Sequence, residues 1–331
     1  MEWSVIIPTR GRPAKLASCV RGLAQQDAAP PFEVIVSVDG PDGGEAEAVS
    51  TAGVDARVLT AAESAGPAAA RNRAFEAARG RWTLLLNDDV VPAADLLAVH
   101  AAARGEVGTD DLVLGSAPFR VESPDRLFDR LVRETSMVFF YDQMSDEPGR
   151  DWGWRHAWTL NLSVRTEAAR EVGGFSTALP GAAFEDVEWA WRLRERFGSR
   201  VLYRPGAVVE HDHRYEPAGY LKRERSLGRD AWALAGANAA CAHELFGRDV
   251  RGDAEVAYSG AFVEREAATA GRVEKGFASL CALSGGDARD ELVSVLYQQH
   301  LLLKRWWWRV GLLEAAGIEV GRRDGGPVLG W

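Results

Sequence analysis

Short apolar runs that end abruptly at prolines or carboxylates, with helical patterns between them, constrain this chain more than any other feature. Val5-Ile6-Ile7 stops at Pro8, and Phe32–Val38 stops at Asp39-Gly40-Pro41-Asp42-Gly43-Gly44. Trp82-Thr83-Leu84-Leu85-Leu86 runs straight into Asn87-Asp88-Asp89. After the first run, Pro13 opens a pattern with Leu16, Cys19, Val20 and Leu23 at helical spacing. Before the third, an alanine-rich stretch from Ala68 to Arg79 reads as a helix with Gly80 as its C-terminal cap. The order β-α-β…α-β predicts a mostly parallel sheet with helices on both faces. The acids then lie at the carboxyl edge of that sheet, where open α/β folds hold their ligands.

Adjacent carboxylates repel, so Asp88 and Asp89 call for a positive charge beside them. A divalent cation is the economical answer, because magnesium and manganese take hard oxygen ligands and can bridge a carboxylate to a diphosphate. A solvated turn is the alternative, since Asn and Asp are ordinary turn residues. Two further clusters lie downstream. Glu185-Asp186-Val187-Glu188 opens a helical pattern, so its acids fall in a first turn, where the helix dipole alone stabilises them. Two short strand-like runs, Val201-Leu202-Tyr203 and Ala207-Val208-Val209, lead into Glu210-His211-Asp212-His213, whose two imidazoles fall on one side of an extended segment. Zinc is disfavoured, because the other histidines and Cys19, Cys241 and Cys281 show no finger spacing.

Taken in order, these pieces resemble the family 2 glycosyltransferases, whose nucleotide-sugar-binding architecture is called GT-A. The resemblance runs through Ser4-Val5-Ile6-Ile7-Pro8-Thr9-Arg10-Gly11-Arg12, Glu33 to Gly40, Ala70-Arg71-Asn72 and Asn87-Asp88-Asp89. It continues through Gly173-Gly174-Phe175 and Phe184-Glu185-Asp186-Val187-Glu188 to His211, about the first two-thirds of the chain. Two departures stand out. The family's second strand often ends in two acids where this chain has Val38-Asp39, and its metal-binding strand often ends Asp-x-Asp where this chain has Asn87-Asp88-Asp89.

The resemblance implies an α/β GT-A fold, a mostly parallel, Rossmann-like sheet flanked by helices, followed by a C-terminal helical extension. It gives Asp39 the ring N–H of the nucleobase, favouring a UDP-sugar, with dTDP- or GDP-sugars as alternatives. Pro8, Thr9 and Arg10 would line the base and ribose, Arg71 would face the base or diphosphate, and Asn87 and Asp88 would lie toward the ribose. Asp89 and His211 would hold Mn2+ or Mg2+, with His213 a weaker candidate. Asp186 would be the general base that deprotonates an acceptor hydroxyl in an inverting displacement, and Glu185 would orient the acceptor or that base. Glu188 reads as a dipole-stabilised carboxylate. Trp154 and Trp158, in the irregular aromatic segment from Pro118 to Trp158, and Asn161 are the candidate acceptor contacts, because aromatic rings stack on sugar faces.

Composition narrows the partners. The chain has 331 residues, 47% of them hydrophobic, enough for one large domain and an appendage. The expected division is a catalytic domain over 1–215, with a nucleotide-binding half over 1–100 and an acceptor-binding half over 101–215, and a helical extension over 216–331. A net charge of −9 argues against nucleic acid. The three scattered cysteines, with no signal peptide or membrane-length apolar run, lead to the expectation of a cytoplasmic enzyme. The acceptor class stays open among a glycan, a lipid-linked glycan and a small molecule. The last helical segment, with its basic Lys304-Arg305-Trp306-Trp307-Trp308-Arg309 stretch, leaves packing on the catalytic domain, a homodimer or a peripheral contact at the inner membrane face open. A sugar nucleotidyltransferase would carry a Gly-rich loop after the first strand, where Pro8-Thr9-Arg10-Gly11-Arg12-Pro13 stands instead. A non-catalytic carbohydrate-binding or scaffolding relative would have lost some of Asp89, Asp186 and His211.

Overall fold

The computed structural model describes residues 1–179, 181–286, 288–320 and 326–327. Its contacts divide the chain into two compact units, Met1–Arg120 with Met144–His213, and Val121–Gln143 with Arg214–Trp331.

The first unit contains the strands β1 (Trp3–Thr9), β2 (Phe32–Val38), β3 (Ala56–Leu59), β4 (Trp82–Leu86), β5 (Val90–Pro92), β6 (Leu112–Ser116), β7 (Asn161–Arg165) and β8 (Val201–His211). Its helices are α1 (Pro13–Ala24), α2 (Glu45–Ser50), α3 (Pro67–Ala77), α4 (Leu96–Arg104), α6 (Thr166–Glu171) and α7 (Glu185–Phe197). The strands form one sheet in the order β3-β2-β1-β4-β7-β6-β8-β5. The first four are parallel, with Ile6 paired to Ile35 on one side and to Leu85 on the other. The side chains of β1, β4 and most of β2 are buried on both faces, which is why those runs read as continuously apolar rather than alternating, while β3 at the edge is half-buried. Chain order reverses between β1 and β4, and a crevice opens at the carboxyl ends there.

Three local expectations change. Gly80 is not a cap: α3 ends at Ala77, and a Cβ at Gly80 would overlap the Trp3 backbone, so this glycine permits close chain approach. The two runs after residue 200 are one 11-residue strand. Its pairing jumps from Gly115↔Arg204 to Ser116↔Val208, so Pro205 and Gly206 bulge outward and make the sequence look broken. Asn161, expected at the acceptor, is fully buried under that bulge. Its amide donates to the Ala207 and Ser116 carbonyls at 2.8 and 3.0 Å, and its oxygen faces His100 Nε2 at 3.0 Å. The amide satisfies carbonyls that the irregular ladder leaves unpaired.

The second unit is helical: α5 (Leu127–Glu134), α8 (Pro217–Ala237), α9 (Ala239–Phe246), α10 (Asp253–Cys281) and α11 (Asp290–Ala315). Asn238 separates α8 from α9 and caps the second through Cys241 N–H, so the stretch from Tyr220 to Leu245 holds two helices. The short helix α5 precedes β7 in sequence yet belongs here, because its apolar stripe of Leu127, Phe128 and Leu131 is buried among helices, Phe128 lying edge-on to Phe277 at 6.0 Å. The division therefore falls after His213, with Val121–Gln143 in the helical unit. α11 spends its apolar face inside this unit against α8, α10 and α5. Gly228 of α8 and Gly311 of α11 let the two backbones nearly touch, since a Cβ on either would overlap a carbonyl of the other helix. Trp306 and Trp307 are buried, and Trp306 Nε1 donates to the Val263 carbonyl at 3.1 Å. Among the described residues no helix is long and apolar enough to cross a membrane.

Candidate active site

A cleft of about 570 Å3 opens at the carboxyl ends of β1, β2 and β4. Pro8, Thr9, Arg10 and Arg12 line it from the β1 end, Asp39 from β2, Asn87 from β4, and Ser64 to Pro67 with Ala70 and Arg71 from the start of α3. The strand ends thus bring together six of the seven residues expected at the nucleotide. The seventh, Asp88, lies fully buried just beneath, where its Oδ2 accepts from the Thr9 hydroxyl at 2.7 Å.

Asp39 is already engaged. Its oxygens accept from the Ser64 hydroxyl at 2.6 Å, from Ala65 N–H at 2.8 Å and from Gly66 N–H at 3.0 and 3.1 Å, with Arg10 3.9 Å away. Burial alone would raise this carboxyl, but those donors outweigh it and hold Asp39 below the usual range. A carboxylate has about four lone-pair sites. A nucleobase N–H therefore reaches Asp39 only by exchanging with the loop. Sequence reading passed over Ser64-Ala65-Gly66, although a Gly-Pro pair before an alanine-rich helix was a readable sign of a shaped entry loop.

The acids after β4 have the positive neighbour that their adjacency demands, and it is a residue of the chain. The Arg12 guanidinium lies 2.5 Å from Asp88 Oδ1 and 2.8 Å from Asp89 Oδ2. Burial pushes Asp88 up to about 6 in spite of Arg12. Asp89 goes the other way: burial opposes its charge, but His211, His213 and Arg12 together hold it far below the usual range. β5 pairs with β8 so that Val90 stands opposite His211, which carries both imidazoles to Asp89. His211 Nε2 lies 3.7 Å from Oδ1 and His213 Nδ1 3.5 Å from Oδ2, the two rings stacked at 5.7 Å. His213 thus stands as near to Asp89 as His211 does. Among the described residues no cluster of three or more His, Cys, Asp or Glu side chains forms a ready-made metal cage. Asp89 Oδ1 is nonetheless buried without a hydrogen bond, and a carboxylate beside imidazoles fits an ion that takes its other ligands from a diphosphate and water.

The catalytic candidates sit at the start of α7. Phe184 precedes them with φ of 65°, an uncommon conformation for a side chain with a Cβ, and it turns the acids inward. Glu185 pairs with Arg71 at 2.9 Å, both side chains almost wholly buried, and Arg71 also lies 5.3 Å over the Phe175 ring. Arg71 therefore ties the wall of the cleft to the start of α7. Asp186 is half-buried and accepts from Val187 N–H at 2.8 Å. Burial and the adjacent Glu185 charge push it up to about 7, a value suited to a general base near neutral pH. Glu188 turns inward and forms a two-pronged pair with Arg192, whose guanidinium also donates to the Val172 and Gly174 carbonyls. Asn72 holds the neighbouring Gly174-Phe175 turn, accepting from Phe175 N–H at 2.7 Å and donating to its carbonyl at 2.8 Å. Trp154 and Trp158 are buried, Trp154 under Arg155 and Arg194, and neither lines the cleft.

The strand-end acids lie within a stretch that is matched at the level of sequence. Residues 4–156 fit the family described as Glycosyl transferase family 2. Over that stretch the chain carries the family 2 glycosyltransferase pattern. Over 247 residues, 70% of the chain, it is 32% identical to a pre-mycofactocin glycosyltransferase of Mycobacterium tuberculosis, strain CDC 1551 / Oshkosh, covering 47% of that protein. It is 25% identical over 257 residues to the uncharacterized glycosyltransferase YfnE of Bacillus subtilis, strain 168, covering 64% of this chain and 65% of the relative. The chain thus spans about half the length of the mycobacterial relative and about two-thirds of the other. Its fold is shared with a mannosyltransferase from Pyrobaculum calidifontis, solved with GDP-mannose and Mn2+. The TM-score is 0.55 at 17% identity, over 96% of this chain and 86% of that one. The GT-A fold follows, with the helical region beyond it.

Proposed function

We propose that this protein transfers a sugar from a nucleoside-diphosphate sugar to an acceptor hydroxyl, with inversion at the anomeric carbon and a divalent ion at the diphosphate. The observation that carries the reading is the cleft at the β1/β4 switch point, with Asp39, Arg71 and Asn87 on its wall, Asp89 with two imidazoles beside it and Asp186 raised toward neutrality at the start of α7. The base and ribose would lie along Pro8, Thr9 and Asp39, with Ser64 or Gly66 yielding a hydrogen bond. Asp89, with His211 or His213, would hold the ion, whose charge would help the nucleoside diphosphate to depart. Asp186 would take the acceptor proton as the oxygen attacks, and Arg71 would keep Glu185, and so the start of the helix, in place. The mannosyltransferase of similar fold carries Mn2+, which is consistent with this choice of ion.

Calorimetric titration of uridine, guanosine and thymidine diphosphates, with and without manganese, tests the reading. One base should bind well only with the ion, and Asp89→Ala should abolish the ion's contribution. Equal binding with and without manganese in both proteins would overturn the metal assignment.

A further inference from the structure

The charge that balances Asp88 and Asp89 in this structure is Arg12, a residue to which nothing above gives a part in binding. Gly11, with φ of +63°, turns the chain at the end of β1, and Pro13 starts α1, so Arg12 is held at a bend facing the acids. Its Nη2 and Nε lie 2.5 and 3.1 Å from the two oxygens of Asp88, and its Nη1 lies 2.8 Å from Asp89 Oδ2. The acids are almost wholly buried, whereas the Arg12 side chain is 43% exposed and lines the cleft. The guanidinium therefore closes the acidic pair on the side from which an ion and a diphosphate would enter.

We propose that Arg12 is a resident counter-ion that competes with the divalent ion for Asp89 and then transfers its charge to the donor's diphosphate. The proposal rests on the metal-dependent reading above. Two cations on one carboxylate repel, so binding of the ion weakens the Arg12 contact, and by linkage Arg12 weakens the ion to the same degree. Once released, a guanidinium on a flexible stem inside the cleft meets the diphosphate, whose geometry it suits in a two-pronged contact. Unloaded protein thus avoids a bare pair of buried carboxylates, and ion and donor are bound together in preference to the ion alone.

Electron paramagnetic resonance of free Mn2+ measures ion binding to the full chain, and calorimetry measures uridine diphosphate at saturating Mn2+. Arg12→Gln should tighten Mn2+ alone by about tenfold while weakening uridine diphosphate by about tenfold, the worth of one charged contact. Arg12→Lys, which keeps the charge without the fork, should fall between wild type and Gln on both scales. Effects of opposite sign cannot come from a folding defect, which would weaken both ligands. If Mn2+ binds in an Asp89-dependent way and Arg12→Gln leaves its affinity unchanged or lower, the Arg12 proposal fails and the metal reading stands. If wild type binds no Mn2+, or Asp89→Ala binds it equally well, both fail.

Discussion

At the scale of single residues, environment rather than residue type separates the acids of the site. Asp186 and Glu188 stand in one helical turn, yet Glu188 is neutralised by Arg192, while at Asp186 burial and the Glu185 charge outweigh the pull of Arg71 and the Val187 N–H. Asp186→Asn should keep donor binding and lower turnover by about 100-fold or more, measured by calorimetry and initial rates. Because the base must be unprotonated, kcat/KM should rise with pH through about 7 and level off above it. A flat profile between pH 5 and 8 would remove Asp186 from that role. Glu188→Gln should act on stability first, costing about 1–3 kcal/mol, since it leaves the half-buried Arg192 without its carboxylate. Sequence singled out Asp39, Asp88, Asp89 and Asp186 because strand ends and helix starts mark themselves. It could not show that Arg12 fills the gap between two of them, because that contact joins residues 76 and 77 positions apart.

At the scale of elements, backbone proximity decides what substitution the chain tolerates. Gly80 carries an ordinary negative φ, yet a Cβ there would meet the Trp3 backbone, so Gly80→Ala should force β1 and the chain entering β4 apart. Gly311→Ala should do the same where α11 crosses α8. Each should cost about 1–3 kcal/mol, the usual range for overpacking, read as a shift in the denaturant midpoint. Gly311→Ala should act as a destabiliser of the helical unit, while an unchanged midpoint would show that the crossing yields freely. The extension was legible as helical, but the break at Asn238 that divides α8 from α9 was not. Nor was the bulge in β8, because Pro205-Gly206 looks like a terminator in sequence and only the pairing with β6 reveals one continuous strand.

At the scale of the whole molecule, the helical unit and the balance of buried charge set stability. Deleting residues 289–331 removes α11 and uncovers the apolar faces of α8 and α10, so the truncated chain should aggregate or melt early. A monodisperse, fully active truncation would contradict this. Several carboxyls are held below their ordinary values; for Asp39 and Asp111 burial opposes the shift and hydrogen bonds outweigh it. Such groups bind fewer protons folded than unfolded, so their contribution is complete above the ordinary carboxylate value near about 4 and is lost as pH falls below it. Asp88 and Asp186, raised to about 6 and about 7 mainly by burial, act with the opposite sign and withdraw stability as they ionise above the ordinary value. Thermal melts from pH 3 to 8 should therefore peak on the mildly acidic side and fall steeply below about pH 4. A maximum at pH 8 would show that the raised acids carry little weight.

The sequence by itself determined the alternation of strand and helix, the parallel half of the sheet and the acids at its carboxyl edge. Those features depend on local periodicity and on residues within a few positions of one another. The tertiary structure decided which acid is neutralised by what. It set Arg12 between Asp88 and Asp89, closed the Ser64–Gly66 backbone over Asp39, and paired Arg71 with Glu185 across 114 positions. It also turned Asn161, Trp154 and Trp158 from surface contacts into buried packing. Charge and burial depend on distance in space, and a run of letters records only distance along the chain.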